Sequence, residues 1–246
     1  MNNAVVLPLT TEQELVITSD NSGAIGEKPH DAVNTSNTVV GHFACRVAVM
    51  ECLAAGGDVR AVVMQNFTDH EAWRDYKHRV EQVLDELGLD KVPITGSTES
   101  NFASLQSGLG LTVIGTRAMT QEYEFTGEEA FAVIGKPLVG NEVLERPDEV
   151  APLWLFQRLC QLKLVKAILP AGSKGVAAAW RNWTKRANRL DCALDLEKSA
   201  GPATCFLIAF DKENEAKIKE IAGSFFHRLD IGGGQGVRHF APQNSV

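Results

Sequence analysis

Three small polar groups stand on the edges of otherwise apolar stretches, and each has the residue types for phosphate or metal chemistry. The first is Asp20-Asn21-Ser22-Gly23, followed by Gly26 and Lys28. A carboxylate at a strand end suits Mg²⁺, and a glycine-containing loop with a lysine can fold over phosphates. An Asx-turn with a solvated lysine is the other reading. The second is Glu51, alone near the end of a small-residue helix, where a buried acid needs a metal or an ion-pair partner such as Arg46 or His42. The third is residues 96–101, Gly-Ser-Thr-Glu-Ser-Asn, which can present backbone N–H groups or simply cap a helix or make a β-turn.

The elements that must position these groups follow from periodicity. Residues 15–18 read as a short strand that ends in Asp20 and runs into a loop over residues 21–28. Residues 38–55 read as a helix, with Val40, Phe43, Val47, Met50 and Ala54 at three- and four-residue steps and Asn37 or Thr38 as the cap. Its opposite face offers Ala44, Cys45, Ala48 and Cys52, so it is apolar nearly all round and expected to be buried. Gly56-Gly57 stops it, and a strand begins at Ala61. An amphipathic helix over 69–87, capped by Asp69 and closed by Gly88, leads to a brief strand at 92–95 and another at 108–115. A polar stretch at 116–129 is the expected junction between halves, giving domains 1–120 and 121–246.

The second half alternates again: strand Ala130–Ile134, helix 152–162, strand 164–169, helix 174–190, strand 204–210 and helix 213–226. Residues 232–236 then form a glycine-rich run read as a hairpin turn. The class is mixed α+β in two lobes. Trp154, Trp180 and Trp183 fall on helix patterns as core or subunit contacts. Arg181, Lys185, Arg186 and Arg189 read as a solvated helical face.

Composition sets outer limits. A chain of 246 residues can bury about 70–75% of its unfolded surface and needs no covalent staples. A net charge of −7 without a basic stripe argues against nucleic acid or an anionic membrane as partner. Five widely spaced cysteines form no metal or disulfide pattern and read as reduced thiols. With no span-length apolar run and no basic start before an apolar core, the expectation is a cytoplasmic protein. There is no Walker-type phosphate loop, no dinucleotide-binding glycine fingerprint, no serine-hydrolase elbow and no zinc-protease histidine pair.

The wording at the three groups resembles the PurM-like family, which includes aminoimidazole ribonucleotide synthase, selenophosphate synthetase and thiamine-monophosphate kinase. Asp20 matches an acid after an early strand. Glu51-Cys52-Leu53-Ala54-Ala55-Gly56-Gly57 matches a helix ending in acid-x-x-Ala-x-Gly, and Gly96-Ser97-Thr98-Glu99 answers a Gly-Gly-acid-Thr turn. Within the family, SDNSGAIGEK, FACRVAVMECLAAG, PITGSTESNF and PAGSKG are similar to α-ribazole kinases. The resemblance spans nearly the whole chain and is specific in the first half. It implies a two-lobed homodimer whose N-terminal halves pair strands into a shared barrel, with ATP between the halves and Mg²⁺ bridging its phosphates to acids.

Carried over, Asp20, Glu51 and Glu99 become metal ligands, and Asp20 and Lys28 the catalytic groups. Asn21, Ser22, Gly23, Gly26, Gly96, Ser97 and Thr98 hold the nucleotide. The sequence departs from the family in having Glu51 where Asp is usual, and in placing the turn acid one position late, at Glu99. It also has Pro170-Ala171-Gly172-Ser173-Lys174-Gly175 where kinase relatives carry an acidic segment. A lysine at a helix start is unfavourable for the dipole unless an anion is near, which favours a substrate- or phosphate-contacting role for Lys174, with Gly175 beside it, over a plain surface position. The implied activity is an ATP- and Mg²⁺-dependent kinase acting on the alcohol of a nucleoside-like molecule. An ATP-dependent synthase of the same family and a non-catalytic ATP-binding scaffold are the alternatives.

Overall fold

The computed structural model describes residues 3–121, 123–162 and 164–232. The first half contains β1 (Val5–Pro8), β2 (Gln13–Gly23), β3 (Ile25–Gly26), β4 (Val33–Asn34), α1 (Asn37–Ala54), β5 (Asp58–Asn66), α2 (His70–Glu86), β6 (Ile94–Thr98) and β7 (Gly108–Ala118). The second contains β8 (Ala130–Ile134), α3 (Asn141–Glu145), α4 (Leu153–Gln161), β9 (Val165–Pro170), α5 (Gly175–Thr184), β10 (Leu190–Asp191), β11 (Phe206–Phe210), α6 (Glu215–Ala222) and β12 (Phe226–Ile231).

The first sheet has the strand order β1-β2-β7-β5-β6. Within this sheet β5 and β6 are the parallel pair, because α2 supplies the crossover that parallel neighbours need. Side chains alternate between faces. Val16 and Thr18 on β2, Leu109, Leu111 and Val113 on β7, and Val62 and Met64 on β5 are buried. Helices α1 and α2 cover that face. The intervening Ile17, Val63, Thr112 and Ile114 point the other way and are half-buried.

Helix α1 is buried almost all round because it lies between two layers, the first sheet on one side and β9 and α4 on the other. Gly41 lets α2 approach it, since a Cβ there would sit 3.1 Å from the Tyr76 Cα. The second sheet, β10-β12-β8-β11-β9, is antiparallel throughout. Its central strands β8 and β11 are buried at every position, with α4 and α5 on opposite faces: Phe156 meets Phe206 edge-on at 4.9 Å and Trp180 meets Phe131 at 5.8 Å. One hydrophobic cluster runs from Val16, Met50 and Tyr76 through to Phe156, Phe206 and Ile218. No helix among the described residues is long and apolar enough to cross a membrane.

Several elements differ from the sequence reading. β2 is not a four-residue strand followed by a loop: it pairs with β7 along its whole length, down to Gly23 opposite Gly108. The ladder overrides the weak strand propensity of Asn21, Ser22 and Gly23. Ser36, not Asn37 or Thr38, caps α1 by accepting from the Val39 N–H. The second-half helices are shorter. α5 stops at Thr184, where Lys185 turns left-handed at φ 59°, and α6 stops at Ala222 so that β12 can pair with β8. The four basic residues therefore make no helical face; Arg186 instead reaches Glu129 at 3.7 Å. Trp180 is core, but Trp154 is 56% exposed. All five thiols are unbridged, and residues 233–236 of the glycine run lie outside the described residues.

Candidate functional site

Asp20 and Glu51 come together where β2 passes under α1. The Thr18 hydroxyl donates to the Ala48 carbonyl at 2.7 Å and fixes strand to helix. Two residues further along β2, Asp20 projects from the same helix-covered face, and Glu51 follows Ala48 by about one turn. Glu51 is 4% exposed. Burial pushes its pKa up to about 7; hydrogen bonds from Asn3 offset part of that, and the Asp20 charge adds to it. The Asn3 backbone N–H and side-chain amide each donate to the Glu51 carboxylate at 3.3 Å. Burial likewise pushes Asp20 up to about 6, opposed by a backbone hydrogen bond from Asn21. The alternative of an ion pair from Glu51 to Arg46 or His42 fails: Arg46 binds the Ala151 and Ala203 carbonyls, and His42 meets Arg79.

The neighbouring loop is tied down by residues that sequence reasoning passed over. The Asp31 carboxylate accepts from the Ser107 N–H and hydroxyl at 2.7 Å each and from the Lys28 N–H at 2.9 Å. Although burial raises it, these bonds hold its carboxyl below the usual range. Gly26 makes the close approach possible, for a Cβ would lie 2.3 Å from the Ser107 hydroxyl. The Lys28 ammonium pairs with Asp69 at 2.8 Å, while Asp69 also caps α2 through the Ala72 N–H. Asp69 was legible as a cap; nothing local in the sequence signals its second partner.

Gly96, Ser97 and Thr98 belong to edge strand β6 rather than to a turn. Gly96 is required by packing, since a Cβ would stand 1.9 Å from the Met64 carbonyl oxygen. Thr98 accepts from the Asn66 amide at 3.2 Å, and the Glu99 carboxylate accepts from the Asn101 N–H at 2.6 Å. Asp20, Leu111, Met64 and Gly96 occupy one row across four strands, so three strand spacings, about 14 Å, separate Asp20 from β6. Within one chain Glu99 is thus not brought to Asp20 and Glu51. Asn21, Ser22 and Gly23 continue β2 beside Asp20. Lys174 and Gly175 open α5, in the second half; Lys174 is exposed, and Gly175, at φ +79°, packs where a Cβ would meet the Leu196 and Lys198 carbonyls at 2.8 Å.

Among the described residues no group of three His, Cys, Asp or Glu side chains could hold a metal ion. Two desolvated carboxylates nevertheless fit one mode of Mg²⁺ binding, in which one or two protein acids share the ion with substrate phosphates and water.

No family model matches the chain, and no curated protein matches it in sequence. Solved structures do. The thiamine-monophosphate kinase of Stenotrophomonas maltophilia is 13% identical with a TM-score of 0.64, covering 96% of this chain and 90% of that one. AaThiL complexed with AMPPCP and TMP is 12% identical with a TM-score of 0.62, covering 96% and 86%. The HypE–HypF complex matches with a TM-score of 0.63 at 14% identity, covering 94% and 88%. The chain has the same overall fold as these proteins. Identities this low establish the architecture alone.

Proposed function

We propose that this chain is an ATP- and Mg²⁺-dependent kinase that transfers a phosphoryl group to an alcohol, with the ribose 5′-hydroxyl of α-ribazole as acceptor. The observation that carries the reading is the Asp20–Glu51 pair: two acids, both desolvated, near enough at the junction of β2 and α1 for the Asp20 charge to raise Glu51. The fold supports it, since a relative of the same architecture was solved with the nucleotide analogue AMPPCP. The acceptor rests on the likeness of four sequence stretches to α-ribazole kinases.

In this reading Asp20 and Glu51 ligate Mg²⁺, which when bound neutralises phosphate charge. Glu51 exchanges its two 3.3 Å hydrogen bonds from Asn3 for that role. Lys28 exchanges Asp69 for phosphate oxygens. That is a small sacrifice, because a partly exposed ion pair is worth about 0–1 kcal/mol. Asn21, Ser22, Gly23 and Gly26 line the approach, and β6, as an edge strand, has the outward backbone N–H groups of Gly96 and Thr98 to offer, with Ser97 between them bonded to β5. Glu99 joins the acids only if a second copy supplies it. Lys174 and Gly175 contact the acceptor. Phosphoryl transfer of this kind depends on positioning and electrostatics more than on a general base. The uncovered face of the first sheet, with Ile17, Val63 and Ile114, suits a homodimeric barrel.

The test is incubation with Mg-ATP and a panel of α-ribazole, thiamine monophosphate and aminoimidazole precursors, following product phosphate. Turnover of α-ribazole above the others is expected. Turnover of another panel member would move the acceptor, and no turnover together with no calorimetric Mg-ATP binding would overturn the kinase.

A further inference from the structure

On the far side of α1 from Glu51 lies a cleft of about 540 Å³. Arg46 and Glu51 are five residues apart, so about 140° of helix rotation separates them. The cleft is bounded by α1, the end of α2 and residues 147–154, and Phe43, Leu87, Leu153 and Trp154 give it apolar walls, with His42, Arg46 and Glu86 as its polar groups.

Arg46 is 2% exposed. Its Nε and Nη2 donate to the Ala203 carbonyl at 3.2 and 3.0 Å, and Nη2 also donates to the Ala151 carbonyl at 2.6 Å. Among the described residues no hydrogen bond uses Nη1 and no carboxylate pairs with the guanidinium. Burial lowers its pKa to about 10, which leaves it charged at neutral pH. A buried charge faced only by neutral carbonyls lacks the counter-charge such groups normally have. Glu86, at the cleft's edge, does not supply it, because it pairs with Arg79 at 3.3 Å. The Arg79 Nη2 lies 2.8 Å from the His42 Nδ1. Arginine only donates, so Nδ1 accepts and the His42 proton sits on Nε2. His42 is therefore a neutral donor, held so by burial and by the Arg79 and Arg46 charges, which push its pKa down to about 3.

We propose that this cleft is a second ligand site, separate from the Asp20–Glu51 pair, for a small aromatic carboxylate whose single charge balances Arg46 and whose ring is covered by Phe43, Leu87 and Trp154. One uncompensated positive charge and a neutral histidine suit a monoanion; a phosphate dianion would bury an excess negative charge. The apolar walls call for a flat hydrocarbon body.

The full chain is titrated with 2-naphthoate and with the neutral 2-naphthamide by calorimetry, with and without saturating Mg-ATP. Saturable naphthoate binding is expected, at least tenfold tighter than naphthamide and unaffected by Mg-ATP. Trp154→Ala, at an exposed position, should weaken naphthoate at least tenfold and leave Mg-ATP binding unchanged; Arg46→Met should abolish the preference for the anion. If Arg46→Met does not fold, the naphthoate-to-naphthamide ratio in the wild-type chain carries the charge test. Absence of saturable binding, equal affinity for the amide, indifference to Trp154→Ala, or displacement by Mg-ATP would each overturn the proposal. Because it does not depend on kinase activity, it can fail while the kinase reading stands, and the reverse.

Discussion

Folding and chemistry make opposite demands on Asp20 and Glu51. Their folded pKa values, about 6 and about 7, lie above the ordinary 3.8 and 4.5. An acid with a raised folded pKa binds more protons in the native state, so its burial is tolerated below about pH 4 and destabilises the protein as pH rises through 6 and 7. For Asp20 the penalty at pH 8 is roughly 3 kcal/mol, at about 1.4 kcal/mol per pKa unit. Asp20→Asn should therefore raise the metal-free Tm at pH 8 and not at pH 4, and abolish any Mg²⁺-dependent rise; calorimetry at the two pH values checks both. Under the kinase reading Asp20→Asn and Glu51→Gln each cost at least about 100-fold in turnover, and full activity in either would remove the pair from the site. Glu129 behaves in the opposite sense. It is buried, but hydrogen bonds from Thr126 and Gly127 outweigh burial and hold its pKa to about 2. Its stabilisation, about 3 kcal/mol, is present above pH 4.5 and lost as pH falls towards 2. Acid unfolding of Glu129→Gln should lack that component.

At the scale of elements, β6 and the 24–34 loop depend on close backbone approach. In Gly96→Ala the new Cβ would meet the Met64 carbonyl at 1.9 Å, so the parallel β5–β6 pairing must open. A loss of roughly 3 kcal/mol or more in urea unfolding is expected. Asp31→Ala removes two hydrogen bonds that join the loop to Ser107 and one, from the Lys28 N–H, within the loop, at about 1 kcal/mol each. If the loop covers phosphates, the variant should raise the KM for ATP more than it lowers kcat, and steady-state kinetics separates the two. Much of this scale was readable from pattern. The apolar periodicity of α1 and α2, the Asp69 cap and the unbroken apolar runs of β8 and β11 are local signals, and the structure contains those elements. The strand character of residues 21–23 and 96–98 was not readable, because Asn, Ser, Thr and Gly there take their conformation from partner strands and not from their own preferences.

At the scale of the molecule, α1 works as an axle between two sheets, which is why a helix with so few charges is covered on nearly every side. The first sheet keeps one face without a helix, and Val5 and Leu7 on β1 are 53% and 46% exposed. If that face pairs with a second copy, light scattering on the wild-type chain should give the mass of two chains, and Ile17→Asp should give one. A wild-type monomer at micromolar concentration would remove the shared barrel.

The sequence by itself determined which stretches are helices with buried faces, which acids stand on apolar elements, and the mixed α+β class, since each is encoded in residues a few positions apart. Only the tertiary structure decided what those acids meet. Glu51 is bound by Asn3, 48 positions away; Lys28 is taken by Asp69; Arg46, a plausible partner for Glu51 on paper, points to carbonyls 105 and 157 positions distant. Glu99 follows the far strand β6, away from Asp20. Partners of that kind are set by strand order and by the rotation of one helix between two layers, which no local pattern records.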